Sequence, residues 1–379
     1  MMKVVSTKYR ESVPADCVPT LGISPPLGQA DTARDVVARL RDNNFDLLRL
    51  VFASMVVVFH IGILSQAPLL AWMHRYASAE FAVQAFFVVS GFLVTMSFEN
   101  SSSLRSYASK RLRRIVPAYV FVVVGAAVIL SLLSSLSLQQ YFTDLGFRRY
   151  LGYNLLLSNF SAPSLPGLFQ SNTESAVNGS LWTIKIEVAF YCFVPIMVWA
   201  VRRYDYRSTL LMLFVLSLIW KGGFNALALM QGNEFYAKLA RQLPGQMAFF
   251  VGGAWAYYRT RDGGAGVSLL FFVAGVLGYV ITDGMMYDFV APIAVTMVVY
   301  WAAITAPPLG RFGKYGDFSY GVYLYHFPMV QTCVSLGLFA LAPVEAAVGL
   351  FVFVGGLAIF SWYVIESPFL HHRVAKLKV

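Results

Sequence analysis

The stretch IVPAYVFVVVGAAVILSLLSSL, residues 115–136, runs for 22 positions without a charged residue. A helix needs about 20 apolar residues to cross a bilayer, so this stretch predicts a membrane-spanning helix. Nine other apolar runs have spanning or nearly spanning length: 46–65, 81–98, 181–200, 208–229, 243–258, 267–282, 287–305, 317–338 and 344–365. The sequence therefore predicts an all-α, polytopic membrane protein, built as a bundle of ten transmembrane helices.

The composition of the chain supports the same class. Of the 379 residues, 58% are hydrophobic and only 13% are charged, and the mean hydropathy is +0.63. Soluble domains carry about 25% charged residues. Unbroken apolar runs also argue against the alternating pattern of an outer-membrane barrel. The three cysteines, Cys17, Cys192 and Cys333, lie far apart without metal-ligand spacing, so we expect neither a disulfide framework nor a metal site.

The distribution of basic residues predicts the topology and the domain limits. We interpret residues 1–44 as a polar N-terminal cytoplasmic tail, 45–368 as the transmembrane domain and 369–379 as a cytoplasmic C-terminal tail. With the N-terminus inside, 21 of the 29 lysines and arginines fall in cytoplasmic segments, as expected for short loops. The run Tyr150–Phe160 is too short to cross, and a crossing there would place the basic loop 202–207 outside. The net charge of +10 therefore reflects topology and does not indicate nucleic-acid binding.

Two ionisable side chains lie on one face of the first predicted span, where each costs about 2.5–3.5 kcal/mol on insertion scales. Arg49 and His60 are eleven residues apart, within about 20° of the same helix face. In a structural interpretation, Arg49 reaches the cytoplasmic interface and His60 is a hydrogen-bonded core residue. In a functional interpretation, both line a polar site, and His60 is a general base for a hydroxyl.

The span 181–200 carries a polar stripe of Thr183, Glu187 and Tyr191 at four-residue spacing. Glu187 lies at about the same depth below the outer surface as His60. Its carboxylate is therefore a candidate to orient that imidazole and raise its basicity. The structural alternative for Glu187 is an ion pair with Lys185 or a hydrogen bond between helices.

A third polar stripe lies in the span 317–338, where Tyr320, Tyr323 and His326 follow one helix face. For the tyrosines alone, packing with one hydrogen bond is a sufficient explanation. Pro328 frees a backbone carbonyl near His326, however, and a proline at such a position commonly marks a cavity.

Five basic residues precede the third span, in a segment that includes RLRRIVPAY at 111–119. Arg111 and Arg114 lie one turn apart, and Pro117 is suited to the first turn of a helix. Cytoplasmic loops attract basic residues in any membrane protein, which is the structural explanation. Arginine forks are also preferred ligands of phosphate, so the pair is a candidate site for a polyanionic phosphate ligand.

These segments together resemble the acyltransferase 3 family of integral membrane acyltransferases, from about residue 45 to 368. The matching pieces are Arg49 with His60, FFVVSGF at 86–92, RLRR followed by IVPAY at 111–119, SLWTIKIEVAFY at 180–191, FSYGVYLYHFP at 318–328 and IESP at 365–368. The resemblance implies a bundle with a central pore, located in the inner membrane of a bacterium. It also implies transfer of an acetyl or related acyl group, such as succinyl, from coenzyme A on the cytoplasmic side. The implied acceptor is a hydroxyl of a cell-surface glycan or its lipid-linked precursor, and the esterase-like domain that some relatives append is not expected.

The resemblance also implies roles for particular residues. The family's essential arginine and histidine fall on Arg49 and His60, and its paired arginines fall on Arg111 and Arg114. We expect the three arginines to bind the phosphates of acyl-CoA, and His60 to act as base, oriented by Glu187 or by a backbone carbonyl. The predicted catalytic set is His60, Glu187 and Arg49. The side chains expected to line the pore or contact the acceptor are Tyr320, Tyr323, His326 and Trp182.

The expected partners are the acyl-CoA co-substrate, the glycan acceptor and membrane lipids, with no permanently bound cofactor and no metal. Direct transfer and an acyl-histidine intermediate both fit the residues. A transporter or flippase of a lipid-linked sugar is the alternative class, because intramembrane ionisable residues also mark substrate paths. A transporter of that kind commonly has repeated halves, and the motifs of the two halves of this chain show no self-similarity.

The segment 137–180 is the longest predicted non-spanning stretch after the N-terminal tail. Such long loops are usually functional or disordered, so we expect it to recognise the acceptor, with a flexible external connection as the alternative. The aromatic faces for sugar rings would be Tyr150, Tyr153, Phe160 and Phe169. The groups for sugar hydroxyls would be Asn154, Asn159, Asn172 and Asn178.

Overall fold

The computed structural model describes residues 43–371 except 265 and 311, and the described chain is helical without β-strands. Ten long helices run through it: α1 Phe45–Leu64, α2 Ala79–Glu99, α3 Leu104–Ile129, α4 Trp182–Arg203, α5 Tyr206–Gln231, α6 Leu243–Arg261, α7 Leu269–Ile281, α8 Gly284–Tyr300, α9 Ser319–Ser335 and α10 Pro343–Phe360. Short helices and turns connect them. The predicted N-terminal tail before residue 43, with Cys17, and the predicted C-terminal tail after residue 371 lie outside the described residues.

Each of the ten predicted runs coincides with one of these helices. Among the described residues, seven helices are long and apolar enough to cross a membrane: α1 to α5, α8 and α10. The other three are shorter or more polar; α7 has 13 residues and α9 has 17. The all-helical membrane fold is therefore confirmed. The count of ten crossings and the cytoplasmic position of both termini stay predictions.

Helices α2 and α6 approach each other closely because two glycines let their backbones meet. A Cβ atom on Gly91 would collide with the carbonyl oxygen of Phe250, and one on Gly253 would collide with the carbonyl oxygen of Val88. Small residues serve the same purpose at other helix contacts in membranes. The ring of Phe190 on α4 stacks on Phe250 with the centroids 4.2 Å apart. Three helices that line the functional site are thereby fixed to one another.

Helix α9 is deeply buried in the bundle. Every residue from Ser319 to Pro328 is buried, and the helix packs between α1 and α10. A Cβ atom on Gly321 would lie 2.8 Å from Cα of Ala358, so the backbones of α9 and α10 are in contact. The polar stripe of α9 must therefore find its hydrogen-bond partners inside the protein.

Helix α3 begins before the point that the sequence predicts. It starts at Leu104, and the Oγ of Ser103 caps it by accepting a hydrogen bond from the backbone N–H of Ser106. Pro117 therefore lies in the helix interior and not in its first turn, which corrects that prediction. The basic segment is helical as a result, and its arginines project from a fixed backbone.

The proline in α9 has the predicted effect on the backbone. Pro328 cannot donate to the carbonyl of Leu324 one turn earlier. The side-chain amide Nδ2 of Asn178 donates to that carbonyl instead, at 2.9 Å. Asn178 is 4% exposed, so it tethers the outer segment to α9 from a buried position.

The outer segment 137–180 packs as a wall of the protein. Tyr150 and Phe169 are buried, at 1% and 3% exposure. Asn154 donates to two backbone carbonyls, and Asn172 donates to the side chain and backbone of Gln331. The burial of Tyr150 and Phe169 contradicts the prediction that these two rings offer their faces to a sugar. Recognition of the acceptor by the rest of the segment stays a prediction.

Candidate active site

A basic cavity of about 550 Å³ lies at one end of the bundle, between the C-terminal end of α2 and the first half of α3. Five of its lining residues are basic: Arg49, Lys110, Arg111, Arg113 and Arg114. A concave surface with this charge attracts polyanions. The structure therefore brings the three predicted phosphate ligands to one cavity.

Arg111 is held in this cavity with donors to spare. Its Nη2 donates to Oγ of Ser97 at 2.7 Å, and its guanidinium lies 5.5 Å from the ring centroid of Tyr191. Its Nε is buried and has no partner among the described residues. Since a guanidinium carries five N–H donors, Arg111 can bind a phosphate by donating hydrogen bonds to it while keeping its present contacts.

Arg114 is engaged by carboxylates instead. Its Nη1 donates to Glu366 at 2.9 Å and its Nη2 donates to Asp317 at 2.5 Å. Asp317 also pairs with Arg49, and the Glu366 side chain is 1% exposed. These ion pairs join α1 and α3 to the segments before α9 and after α10. The charges of Arg114 and Arg49 are therefore already offset by protein groups.

A small central cavity of about 50 Å³ lies beside the basic one. It shares Arg49, Ser90 and Glu187 with the basic cavity, and Val83 and Tyr323 with a third cavity further along the bundle. The three cavities thus form a series through the protein.

The polar stripe of α4 faces this series. Tyr191 donates its hydroxyl proton to Oε1 of Glu187 at 2.5 Å, and Thr183 Oγ1 lies 2.7 Å from the hydroxyl of Tyr323. Glu187 lines the basic and central cavities, whereas His60 lines the third one. The predicted pairing of Glu187 with His60 is therefore not formed among the described residues.

The third cavity, called the outer cavity below, has a volume of about 450 Å³ and contains His60, Tyr323 and Trp182 in its wall. It lies towards the opposite end of α2 from the basic cavity. Glu80 lines the outer cavity and Ser97 lines the basic one. The two residues are 17 positions apart, which corresponds to about 25 Å of helical rise.

His60 and His326 form a direct pair across α1 and α9. Nε2 of His326 lies 3.1 Å from Nδ1 of His60, and the ring centroids are 5.1 Å apart. Nδ1 of His326 lies 2.8 Å from the carbonyl oxygen of Tyr323, so in the neutral ring this nitrogen carries the proton and donates it. Nε2 of His326 must then be an acceptor.

The pair fixes the tautomer of His60 as well. Its Nδ1 faces Nε2 of His326 and, at 3.0 Å, the carbonyl oxygen of Val56. Both are acceptors, so Nδ1 of His60 is protonated when the ring is neutral. This assignment from the hydrogen-bond partners leaves the lone pair of His60 on Nε2. A nitrogen with a free lone pair, on a ring in the wall of a polar cavity, can take a proton from a bound hydroxyl.

The predicted pore residues divide into two groups. Tyr320, Tyr323 and Trp182 line the central or outer cavity. His326 is fully buried, at 0% exposure, does not line any of the three cavities, and contacts His60, which lines the outer one. Among the described residues, no group of three or more histidines, cysteines or carboxylates could hold a metal ion.

Sequence reasoning missed the carboxylates Asp317 and Glu366 and the buried polar pair Lys221 and Asp288. Acidic residues number only 19 in the chain, so each one at the edge of a span was a signal that needed an explanation. Lys221 lies inside the predicted span 208–229 and could have been found in the same way.

The fold and the cavities define an integral membrane protein with arginines facing one internal cavity and a histidine facing another. Residues 42–366 match the family model of an acyltransferase domain, and the chain belongs to the acyltransferase 3 family. It is therefore a membrane acyltransferase.

Three relatives illustrate the similarity. The O-acetyl transferase of Shigella phage Sf6 is 27% identical over 89% of this chain and 99% of the relative. Nodulation protein 10 of Rhizobium leguminosarum bv. viciae is 28% identical over 88% of this chain and 94% of the relative. The O-acetyltransferase OatA of Staphylococcus aureus is 23% identical over 76% of this chain and 52% of the relative. No solved structure matches the chain.

Proposed function

We propose that the protein transfers an acetyl or related acyl group from coenzyme A to a hydroxyl of a saccharide, with His60 as the general base. The observation that carries the proposal is the His60–His326 pair, which leaves the lone pair of His60 on Nε2 in the wall of the outer cavity. Membership of the acyltransferase family, and the O-acetyl transferases of Shigella phage Sf6 and Staphylococcus aureus as relatives, support acyl transfer to oxygen.

The basic cavity fits the donor. Coenzyme A carries a 3′-phosphate and a pyrophosphate, and Arg111, Lys110 and Arg113 offer charge and hydrogen-bond donors to them. The acylated end of the donor would extend past Glu187 and Tyr323 towards His60, along the series of cavities. Arg49 and Arg114 then contribute mainly by holding the helices around the donor, since carboxylates already pair with both.

The proposed reaction follows from the tautomer of His60, in which Nε2 carries the lone pair. Nε2 of His60 takes the proton of the acceptor hydroxyl while the hydroxyl oxygen attacks the thioester carbonyl carbon. The carbon–sulfur bond breaks, the new ester forms, and the imidazolium returns the proton to the departing thiolate. While His60 is charged, its Nδ1–H remains bonded to Nε2 of His326 and to the Val56 carbonyl, and both acceptors stabilise the cation.

The same nitrogen could instead attack the thioester and carry the acyl group as an acyl-histidine. The two routes differ in one observable. When the enzyme is mixed with radiolabelled acetyl-CoA without acceptor and denatured at neutral pH, label that stays on the protein and is lost in a His60 variant shows the two-step route. Absence of label on a wild-type preparation that transfers acetyl once acceptor is added, when the protein is denatured and analysed within seconds, favours direct transfer.

We further propose that the basic cavity opens to the cytoplasm and that the membrane is the inner membrane of a bacterium. The distribution of lysines and arginines supports this orientation. Sealed vesicles of the two orientations provide the test. Acetyl-CoA added outside should be consumed by inside-out vesicles only, and equal consumption by right-side-out vesicles would contradict the orientation.

The central experiment measures thioester consumption by the purified full chain in proteoliposomes, with a glycan extract of the native organism as acceptor. We expect His60→Asn to lose at least about 100-fold in rate, since a general base commonly contributes 10²- to 10⁴-fold. His74→Asn is the matched control, because His74 is exposed in the short helix Ala71–Tyr76 and lies outside the three cavities. Turnover of His60→Asn close to that of the control would refute the assignment.

A further inference from the structure

The outer cavity contains a buried polar cluster that the proposed chemistry does not use. Lys221 of α5, Gln246 of α6 and Asp288 of α8 line this cavity together with His60. Each of the three is only 6% exposed. Ionisable residues inside a membrane protein are costly and usually mark a substrate site or path.

Lys221 is paired in charge but has unused donors. Its Nζ lies 3.2 Å from Oδ1 of Asp288, but the geometry is not that of a hydrogen bond, and Nζ has no hydrogen-bond partner among the described residues. The rings of Phe249 and Tyr287 flank the ammonium, with centroids 5.4 and 5.5 Å away. A buried ammonium normally donates its hydrogens, so Lys221 has hydrogen-bond donors that the described residues leave unused.

The other two members supply acceptors. Oδ2 of Asp288 accepts from Nδ2 of Asn225 at 2.5 Å, which fixes the carboxylate. Oε1 of Gln246 is buried and has no partner among the described residues. The cluster therefore presents an ammonium, a carboxylate and an amide oxygen to one cavity. Neighbouring hydroxyl groups, each a donor and an acceptor at once, complement this set.

The charges around the outer cavity are balanced. Its lining includes two acidic residues, Glu80 and Asp288, and two basic residues, Lys221 and Arg241. A ligand carboxylate would compete with Asp288 for Lys221 and lie near a second carboxylate in a poorly solvated space, which is unfavourable. An uncharged ligand leaves the existing pairs intact.

We infer that Lys221, Asp288 and Gln246 form the acceptor subsite of the enzyme, and that the acceptor is an uncharged sugar ring. This inference rests on the proposed acyl transfer. The hydroxyl to be acylated lies at His60, Lys221 donates to a neighbouring ring hydroxyl, and Gln246 accepts from one. Trp182, in the same wall, offers an aromatic surface for the ring.

The test uses the full chain in detergent, with acetyl-CoA and two sets of acceptor probes. One set is the methyl glycosides of neutral hexoses, and the other is the methyl glycosides of the corresponding hexuronic acids, in which a carboxylate replaces the C6 hydroxymethyl group; rates are compared for acetylation of the ring hydroxyls that both sets carry. We expect acetylation of at least one hexoside, with kcat/KM at least about 10-fold lower for its uronic counterpart. Equal rates on both would overturn the inference of an uncharged acceptor.

Variants locate the subsite. We expect Gln246→Met to raise the KM of the accepted hexoside about 10-fold and Lys221→Gln to raise it about 10- to 100-fold, with the KM of acetyl-CoA unchanged. Gln246→Met is the safer variant for folding, since the oxygen that it removes has no hydrogen-bond partner among the described residues. Gln231→Met on α5 is the matched control, because Gln231 is exposed. If Gln246→Met and Lys221→Gln both have the acceptor KM of the Gln231→Met control, the assignment of the subsite is wrong.

The failure of this inference is distinguishable from failure of the proposed function. If the wild type consumes acetyl-CoA with the native glycan extract but acetylates none of the neutral hexosides, acyl transfer stands and the acceptor assignment is wrong. If it consumes no acetyl-CoA with any glycoside or with the extract, the proposed function itself is wrong.

Discussion

Arg111 and Arg114 lie one helical turn apart on α3, yet the structure predicts different consequences when each is removed. Among the described residues, the Arg111 side chain has one hydrogen bond, to Ser97, and its buried Nε has no partner. Arg114 bridges Asp317 and Glu366. We therefore expect Arg111→Ala to impair donor binding and Arg114→Ala to impair the fold.

The magnitudes follow from the contacts. A hydrogen bond to a charged group contributes about 1.5–3 kcal/mol, so Arg111→Ala should raise the KM of acetyl-CoA about 10- to 100-fold while kcat changes little. Arg114→Ala leaves the carboxylate of Glu366, 1% exposed, without its cation. Breaking a buried pair in this way costs about 3–5 kcal/mol. Its first effect should be a lower melting temperature and a lower yield of monodisperse protein.

The assay combines donor-saturation kinetics in proteoliposomes with thermal unfolding in detergent for each variant. Arg105→Ala is the matched control, because Arg105 is an exposed arginine in the first turn of the same helix and does not line the cavity. Arg111→Lys separates charge from the guanidinium fork, and it should retain part of the donor affinity. The reasoning is refuted if Arg111→Ala has the donor KM of the control, or if Arg114→Ala keeps wild-type stability while its donor KM rises.

Three further predictions concern catalysis and packing. His60→Asn should reduce transfer at least about 100-fold while the melting temperature stays within a few degrees of wild type; comparable losses of activity and stability would point to a structural histidine. Asn178→Ala leaves the carbonyl of Leu324 unpaired in a buried site and should destabilise the protein by about 1–3 kcal/mol in thermal or denaturant unfolding; an unchanged stability would show that the tether is dispensable. Gly253→Val should prevent the contact of α2 with α6, so the variant should lose the monodisperse peak in size-exclusion chromatography in detergent. Gly349→Val is the control, because Gly349 has open space around it, and this variant should keep the peak. Equal elution profiles of the two variants would contradict the close packing.

The apolar runs were sufficient to predict the helical membrane fold. A span is determined by the hydropathy of about 20 consecutive residues, which is a local property of the chain. The runs at 46–65 and 115–136 are such cases, and both are helices that meet the requirements for spanning. Helix ends depend on finer interactions, which is why α3 begins at Leu104 with a Ser103 cap and not near Pro117.

The sequence also selected most of the residues that line the site. An ionisable or hydroxyl side chain at helical spacing in an apolar run is recognisable without a structure. Of those selected in this way, Arg49, His60, Glu187 and Tyr323 all line the cavities of the site. The family could be identified for the same reason, because its motifs are short and local.

The tertiary structure alone decided which of these groups meet. His60 and His326 are 266 positions apart and belong to helices whose packing no local pattern specifies. The matching depth of the two residues suggested Glu187 as the partner of His60. Depth fixes only the position of a residue along the bundle axis, however. The rotation and the neighbours of each helix are set by close contacts such as that at Gly321. For the same physical reason, the ion pairs of Arg114 and the buried contact of Lys221 with residues far along the chain emerge only from the packed helices.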